Sequence, residues 1–188
     1  MEKIIQLDKQ LLVFLNGLGS EQYDGLWLLI TKQLHWTPFF LFIFYLLYKK
    51  VGWKHLLLIA VSIAVMITFT DQFTNLVKNS VQRLRPCNDI EIKDIIRIVQ
   101  SRSSFSYFSG HAANSTAATT FVFLIMRKYY KYAFLLFLFP LIFAYSRIYL
   151  GLHFPGDILS GYLFGAVAGF GFSKLYNIFR KKHFPESL

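Results

Sequence analysis

Long apolar runs constrain this chain more than any other feature of its sequence. A helix needs about 20 mostly apolar residues to cross a bilayer, and 55% of the chain is hydrophobic, more than a soluble domain is expected to contain. Five runs have this character: Trp36 to Tyr48, Leu56 to Val77, Ala112 to Met126, Tyr132 to Ala144, and Ile158 to Phe179. The first, third and fourth are short, so they need their polar flanks or a locally thin bundle to span the membrane. The sequence therefore predicts an all-α fold, an integral membrane bundle of about five transmembrane helices.

The basic residues form a membrane topology signal. The formal charge of +10 could by itself indicate a nucleic-acid partner. Three basic clusters instead follow the first, third and fifth runs, with no acidic residue among them: Lys49, Lys50 and Lys54; Arg127, Lys128 and Lys131; Lys174, Arg180, Lys181 and Lys182. In a five-span bundle these clusters share one side, and short basic loops mark the cytoplasm. We therefore predict no nucleic-acid partner, and an integral protein of a bacterial inner membrane.

With that orientation, the polar segments from Lys78 to Gly110 and from Arg147 to Gly156 face the periplasm or the outside. Cys87 is the only cysteine, which excludes an intrachain disulfide and a cysteine-rich metal site. Without repeats or low-complexity linkers, the chain is predicted to form a single domain over residues 1–188. Residues 1–34 would supply interfacial helices and residues 35–180 the transmembrane bundle.

The N-terminal segment does not resemble a cleaved signal peptide, because charged residues interrupt its apolar ones. The apolar residues recur at helical spacing and are Ile4, Leu7, Leu11, Phe14 and Leu18. This pattern predicts an amphipathic helix. It could lie in the membrane interface or pack on the bundle as an ordinary helix, and the spacing does not choose between them.

Three polar clusters border the predicted outer face. They are KNSVQRLRP with Lys78 and Arg85, FSGHAANS with Ser109, Gly110 and His111, and SRIYLGLHFPGD with Arg147, His153 and Asp157. Each alone has an ordinary explanation: basic side chains that snorkel at a helix end, a serine helix cap, or a packed histidine. Together, three cations and a helix N-terminus indicate a phosphate site. Two histidines could add a nucleophile and an acid.

The order Lys-x6-Arg-Pro, Ser-Gly-His and Ser-Arg-x5-His-x3-Asp resembles the type 2 phosphatidic acid phosphatase (PAP2) family, which shares its active-site motifs with vanadium haloperoxidases. The motifs run from Lys78 to Asp157, and the surrounding apolar runs extend the resemblance over most of the chain after the first thirty or so residues. Phe108 stands where the family usually has proline before Ser-Gly-His. This departure affects the rigidity of the loop and removes no phosphate contact.

The resemblance implies a role for each matched residue. His153 would attack phosphorus and become a phosphohistidine, Asp157 would hold its tautomer, and His111 would protonate the leaving oxygen and later activate water. The phosphoryl oxygens would be bound by Lys78, Arg85, Arg147, Ser109 and the Gly110 N–H. No metal or other cofactor is expected, in keeping with the few and scattered carboxylates on the outer side.

Several weaker features have two readings each. Asp71 and Asn75 share a helix face with Lys78, and Asn114 and Ser115 lie one turn beyond His111; these residues could support the site or simply join helices. Gly161, Gly165 and Gly169 form a small-residue seam, which favours packing inside the bundle over a dimer interface. The loop from Cys87 to Phe108 is expected to set headgroup choice and carries Asp89, Glu91, Lys93, Asp94, Arg97 and Arg102.

The leading hypothesis is a membrane lipid phosphatase whose partners are the bilayer and a phosphorylated lipid. Phosphatidic acid, phosphatidylglycerol phosphate, undecaprenyl diphosphate and the phosphates of lipid A all remain open as substrates. One alternative is a carrier or scramblase for a phosphate-headed lipid, which would use the cations but not the histidine pair. A vanadate-dependent oxidase would share the motifs, but the five spans disfavour it.

Overall fold

Six α-helices joined by short 3₁₀ turns and loops make up the computed structural model, which describes residues 2–184. Met1 and residues 185–188 of the predicted domain lie outside the described residues. The helices are α1 (Glu2–Gly17), α2 (Asp24–Ile30), α3 (Thr37–Val81), α4 (Gly110–Met126), α5 (Leu138–Tyr149) and α6 (Pro155–His183). Residues 2–184 contain no strand, so the predicted all-α class is confirmed.

Gly52 divides α3 into two arms, residues 37–51 and residues 53–81. Its φ of 73° and ψ of 173° lie in a region that a residue with a Cβ rarely adopts, which glycine tolerates. Ile43 on the first arm and Ile63 on the second line the same cavity, so the arms pack side by side. With α4, α5 and α6 this gives five helical segments, one for each predicted run; the 3₁₀ turn Ala133–Phe137 completes the fourth.

Helix α6 packs on α4 through its glycines. A Cβ at Gly165 would overlap the Ala113 carbonyl oxygen, and one at Gly169 would overlap that of Ala117. At Gly161 the corresponding contact is with the Ser109 carbonyl oxygen, at 2.7 Å. The two backbones can approach this closely only because no side chain intervenes. The predicted use of the seam for packing inside the bundle is therefore confirmed.

The outer surface of the bundle is apolar. Among residues 2–184, two helical stretches, Gln33–Asn88 and Pro155–His183, are long and apolar enough to cross a membrane, and Ala133–Tyr149 is a shorter apolar one. In the most apolar part of each stretch few residues are buried: 17% in the first stretch and 28% in the second. Leu163 and Val167 on α6, for example, point away from the protein. Such a surface suits lipid rather than water.

The basic clusters share one end of the bundle. Lys50, Lys128 and Arg180 belong to three different clusters, yet they line one small cavity of about 180 Å³. The predicted site residues gather at the other end, which places the basic clusters and the polar clusters on opposite sides, as expected from the charge pattern.

Helix α1 turns its apolar stripe outward. Ile4 is 73% exposed and Phe14 is 63% exposed. The opposite edge packs on the protein, where Leu12 and Asn16 are fully buried. The Asn16 amide donates hydrogen bonds to the carbonyl oxygens of Ile148 and Tyr149, at 3.0 and 2.9 Å. Helix α1 therefore has features of both predicted alternatives. It packs on the bundle, and its exposed apolar stripe suits a membrane interface.

Candidate active site

His153 and Asp157 form a buried pair at the start of α6. Pro155 occupies the first turn, where its missing N–H is not needed. One turn into the helix, Asp157 Oδ2 accepts a hydrogen bond from the Phe154 N–H at 3.0 Å and lies 3.3 Å from His153 Nδ1. The Asp157 side chain is fully buried. These contacts fix the carboxylate behind the imidazole ring.

Arg85 fixes the tautomer of His153. Its Nη1 lies 3.0 Å from His153 Nε2 and 2.9 Å from the Leu152 carbonyl oxygen. A guanidinium only donates hydrogen bonds, so Nε2 must accept and the ring proton must sit on Nδ1, towards Asp157. Burial, and then the charges of Arg85, Arg147 and Lys78, hold the pKa of the His153 imidazole well below its usual value. His153 is therefore a neutral ring with a lone pair on Nε2.

The N-terminus of α4 forms the opposite wall. The Ser109 hydroxyl accepts a hydrogen bond from the Ala112 N–H at 3.4 Å, so it caps the helix. The Ser109 N–H in turn donates to the Asp157 carbonyl oxygen at 3.0 Å, which ties α4 to α6. The next two residues, Gly110 and His111, line the cavity. The His111 ring stacks on Phe143 with centroids 4.9 Å apart.

Four cations surround the space between these walls: Lys78, Arg85, Arg102 and Arg147. Arg85 is held by the Ser104 carbonyl oxygen and hydroxyl, at 2.8 and 3.0 Å. Arg147 Nη1 donates to the Thr31 hydroxyl at 2.6 Å, while its buried Nε has no hydrogen-bond partner among the described residues. A buried guanidinium with donors to spare suits an anionic ligand.

The cations border one large cavity of about 550 Å³. Its outer part holds the two histidines and the four cations. Its inner part is apolar and is lined by Phe39, Phe40, Ile43, Phe44, Leu47, Ile63, Ile67, Val122, Leu136 and Phe139. Between the two parts, Asp71 accepts a hydrogen bond from the Asn114 amide at 2.6 Å. The cavity thus joins an anion-binding mouth to an apolar chamber that can hold part of a lipid.

The structure brings together most of the predicted site residues. Those that line the cavity are Lys78, Arg85, Gly110, His111, Arg147 and His153. Asp157 lies behind His153, where its predicted orienting role requires it. Ser109 is fully buried, its hydroxyl caps α4, and it is absent from the cavity wall. Its contact with phosphate, which the resemblance implied, stays a prediction.

Two charged residues behind the His153–Asp157 pair were not predicted, and Arg102, the fourth cation of the cavity, was expected only as part of the loop that sets headgroup choice. Arg83 Nη1 lies 2.8 Å from Asp157 Oδ1, and Arg83 Nη2 lies 2.7 Å from Asp8 Oδ2 on α1. Arg83 stands in KNSVQRLRP between the two residues that matched the motif, and basic residues near a helix end are common. Asp8 is one of the charged residues that interrupt the apolar residues of the N-terminal segment. No spacing rule links these positions, because they are 75 residues apart.

Phe108, at the position where proline was expected, is part of an aromatic cluster. It is buried and its ring lies 5.1 Å from that of Phe164 on α6 and 6.4 Å from that of Phe73 on α3. These contacts hold the residues that lead into Ser109. The approach to the turn is thus packed in place by aromatic side chains.

Comparison with known proteins identifies the family. The model of the PAP2 superfamily matches residues 53–181. This chain belongs to the PAP2 superfamily. A lipid A 4'-phosphatase of Bacteroides thetaiotaomicron is 38% identical over 176 residues, which cover 92% of this chain and 78% of that protein. One of Porphyromonas gingivalis is 29% identical and covers 94% of this chain and 75% of that protein.

Two solved structures share the fold. A transmembrane PAP2-type phosphatidylglycerolphosphate phosphatase from Bacillus subtilis has a TM-score of 0.71 at 18% identity, covering 97% of this chain and 89% of its own. LpxE of Aquifex aeolicus has a TM-score of 0.58 at 23% identity, and the match covers 88% of this chain and 93% of LpxE. The expected membrane fold and PAP2 membership are thereby confirmed. The superfamily match covers the bundle from the second arm of α3 onwards and leaves out α1 and α2.

Proposed function

We propose that this membrane lipid phosphatase of the PAP2 superfamily removes the 4'-phosphate of lipid A through a phosphohistidine on His153. The observation that carries the proposal is the His153 Nε2 lone pair, which faces a cavity surrounded by four cations and continuous with an apolar chamber. The chemistry follows from that geometry. The choice of lipid A is supported by the two similar phosphatases, one of which is 38% identical over most of this chain.

In the first step, His153 Nε2 attacks phosphorus and forms an N–P bond while the P–O bond to the lipid breaks. Asp157 accepts a hydrogen bond from the Nδ1–H of His153 and stabilises the positive charge that develops on the ring, as the carboxylate of a hydrolase triad does. Lys78, Arg85, Arg147 and the Gly110 N–H stabilise the phosphoryl oxygens. His111 donates a proton to the departing lipid oxygen.

In the second step, water attacks the phosphohistidine. His111, now neutral, accepts a proton from the water as the P–N bond breaks and inorganic phosphate leaves. The lone pair returns to His153 Nε2, which Arg85 can contact again. Both steps use groups of this chain alone, and the described residues contain no cluster of three or more His, Cys, Asp or Glu that could hold a metal.

We further propose that residues 1–188 act as one domain with five membrane crossings and that the site faces the periplasm. The supporting observation is the cavity shared by Lys50, Lys128 and Arg180 at the end of the bundle away from His153. Since short basic loops stay in the cytoplasm, the opposite end faces outwards in a bacterial inner membrane. The substrate would then be met in the outer leaflet.

A substrate panel tests the proposal. Phosphate release by purified protein in detergent is measured with lipid A, phosphatidic acid, phosphatidylglycerol phosphate and undecaprenyl diphosphate, and the product of lipid A is assigned by mass spectrometry. We expect the highest kcat/KM for lipid A and loss of the 4'-phosphate. Preference for another lipid would overturn the substrate. No release from any lipid, with tight binding of all, would favour the carrier alternative.

A further inference from the structure

The N-terminal helix reaches the active site through a chain of charges. Asp8 on α1 contacts Arg83, at 2.7 Å between Oδ2 and Nη2, and Arg83 contacts Asp157, at 2.8 Å between Nη1 and Oδ1. Asp157 in turn lies against His153 Nδ1. The side chains of Arg83 and Asp8 are 23% and 13% exposed, so water screens these pairs only partly.

Asp8 also binds the start of α6. Its Oδ1 accepts a hydrogen bond from the Gly156 N–H at 2.7 Å. A Cβ at Gly156 would lie 2.9 Å from Asp8 Oδ2, so glycine leaves the room that the carboxylate occupies. A negative charge at a helix N-terminus is favourable. The same carboxylate therefore holds both Arg83 and the helix turn that carries Asp157.

We propose that Asp8 and Arg83 are positioning residues for the nucleophile His153, acting through Asp157. Arg83 occupies one oxygen of Asp157 and leaves the other for His153 and the Phe154 N–H. Asp8 balances the charge of Arg83, so the set of two carboxylates and one guanidinium keeps a net charge of −1. That negative charge stabilises the positive charge that forms on His153 during attack.

This role extends the catalytic unit beyond the superfamily match, which begins at residue 53. It also connects catalysis to the membrane surface, since the exposed residues Leu7, Leu11 and Phe14 lie on the side of α1 that flanks Asp8. A helix held in the interface by these residues keeps Asp8 against Arg83. The inference rests on the proposed roles of His153 and Asp157.

Steady-state kinetics of three variants tests the inference. Asp8→Asn removes the charge but keeps an oxygen for the Gly156 N–H, and Arg83→Gln removes the guanidinium. Gly156→Ala leaves both chemically intact and displaces the Asp8 carboxylate. Neither Asp8 nor Arg83 lines the cavity, so we expect each variant to lower kcat about tenfold or more, with KM unchanged; residues that orient a functional histidine have effects of this size.

A double-mutant cycle separates positioning from general destabilisation. In Asp8→Asn, the positive charge of Arg83 cancels the negative charge of Asp157. In the double variant Asp8→Asn with Arg83→Gln, Asp157 alone is charged and the net charge is again −1. The kcat of the double variant should therefore be no lower than that of the poorer single variant. If the two residues acted independently, the fold-losses in kcat would instead multiply. Asp8→Glu, which keeps the charge, should recover most of the kcat lost in Asp8→Asn.

Lys9→Gln is the matched control. Lys9 lies next to Asp8 on α1 and binds Asp89 and Glu91 of the loop from Cys87 to Phe108, at 2.8 and 3.0 Å. It does not contact Asp157. We expect its kcat to equal that of the wild type. Wild-type kcat in Asp8→Asn and Arg83→Gln, or equal losses in Lys9→Gln, would overturn the inference while leaving the proposed function standing. Full activity of His153→Ala would overturn the proposed mechanism itself.

Discussion

Arg85 Nη1 lies 3.0 Å from His153 Nε2, so the nitrogen opposite Asp157 already accepts a hydrogen bond from a cation of the cavity wall. When a phosphoryl group enters, its oxygens can take over that donor and leave the lone pair free to attack phosphorus. The same arginine would then stabilise the charge that develops on those oxygens. This contact supports the proposed choice of His153, rather than His111, as the nucleophile.

The roles of the two histidines can be distinguished with substrates that differ in their leaving group. A lipid alkoxide needs a proton and nitrophenolate does not, and general acid catalysis is worth about 10²–10⁴-fold. We expect His111→Ala to lose activity of this order towards a lipid phosphate, yet to release a burst of nitrophenol equal to the enzyme present, because hydrolysis of the phosphohistidine stalls. His153→Ala should give no burst. The reverse pattern would exchange their roles, and a burst from both would exclude His153 as nucleophile.

Chelators should leave hydrolysis intact and vanadate should block it. The cations Lys78, Arg85 and Arg147 supply the positive charge that a metal would otherwise provide. Vanadate can adopt the five-coordinate geometry of the transferring phosphoryl group, so it should compete with substrate. Phosphate release is measured with excess chelator and over a vanadate series. Activity that disappears in chelator and returns with magnesium would contradict this mechanism.

The sequence predicted the helices and most polar residues of the site because both depend on local patterns. The apolar chamber was not predicted, since it depends on how the helices pack. Apolar runs fix where helices can cross a bilayer, and the motif spacings fix which residues stand at their outer ends. The contact of Asp8 with Arg83 could not be predicted in this way, because it depends on how α1 docks on the bundle. The same holds for Thr31, which binds Arg147 from the segment before α3.

Ser109 has two expected roles of different origin. A serine before a small-residue helix predicts a helix cap, and the resemblance to the PAP2 family implies a contact with phosphate. In the structure the hydroxyl caps α4 and the side chain is fully buried. A hydroxyl that accepts the capping hydrogen bond keeps its own hydrogen to donate, so the implied contact with phosphate stays a prediction.

The proposed membrane orientation predicts which positions are accessible from outside. After Cys87 is replaced, single cysteines at positions 91 and 128 can be labelled with a reagent that does not cross membranes. Glu91 lies in the loop near the site and is exposed, while Lys128 belongs to the basic end. We expect position 91 to react in spheroplasts and position 128 only after lysis. Labelling of position 91 only from the cytoplasmic side would invert the topology.

The glycine seam predicts a difference between two identical substitutions on α6. A Cβ at position 165 would overlap the Ala113 carbonyl oxygen, and the backbone cannot move aside as a flexible side chain could. Overpacking of this kind costs about 1–3 kcal/mol, so Gly165→Ala should lower the midpoint of thermal unfolding in detergent. At Gly171 nothing lies within 4 Å of the added Cβ. Gly171→Ala should therefore keep or slightly raise the midpoint, because alanine favours a helix over glycine by up to about 1 kcal/mol. Equal midpoints for the two variants would show that α4 and α6 do not pack through this seam.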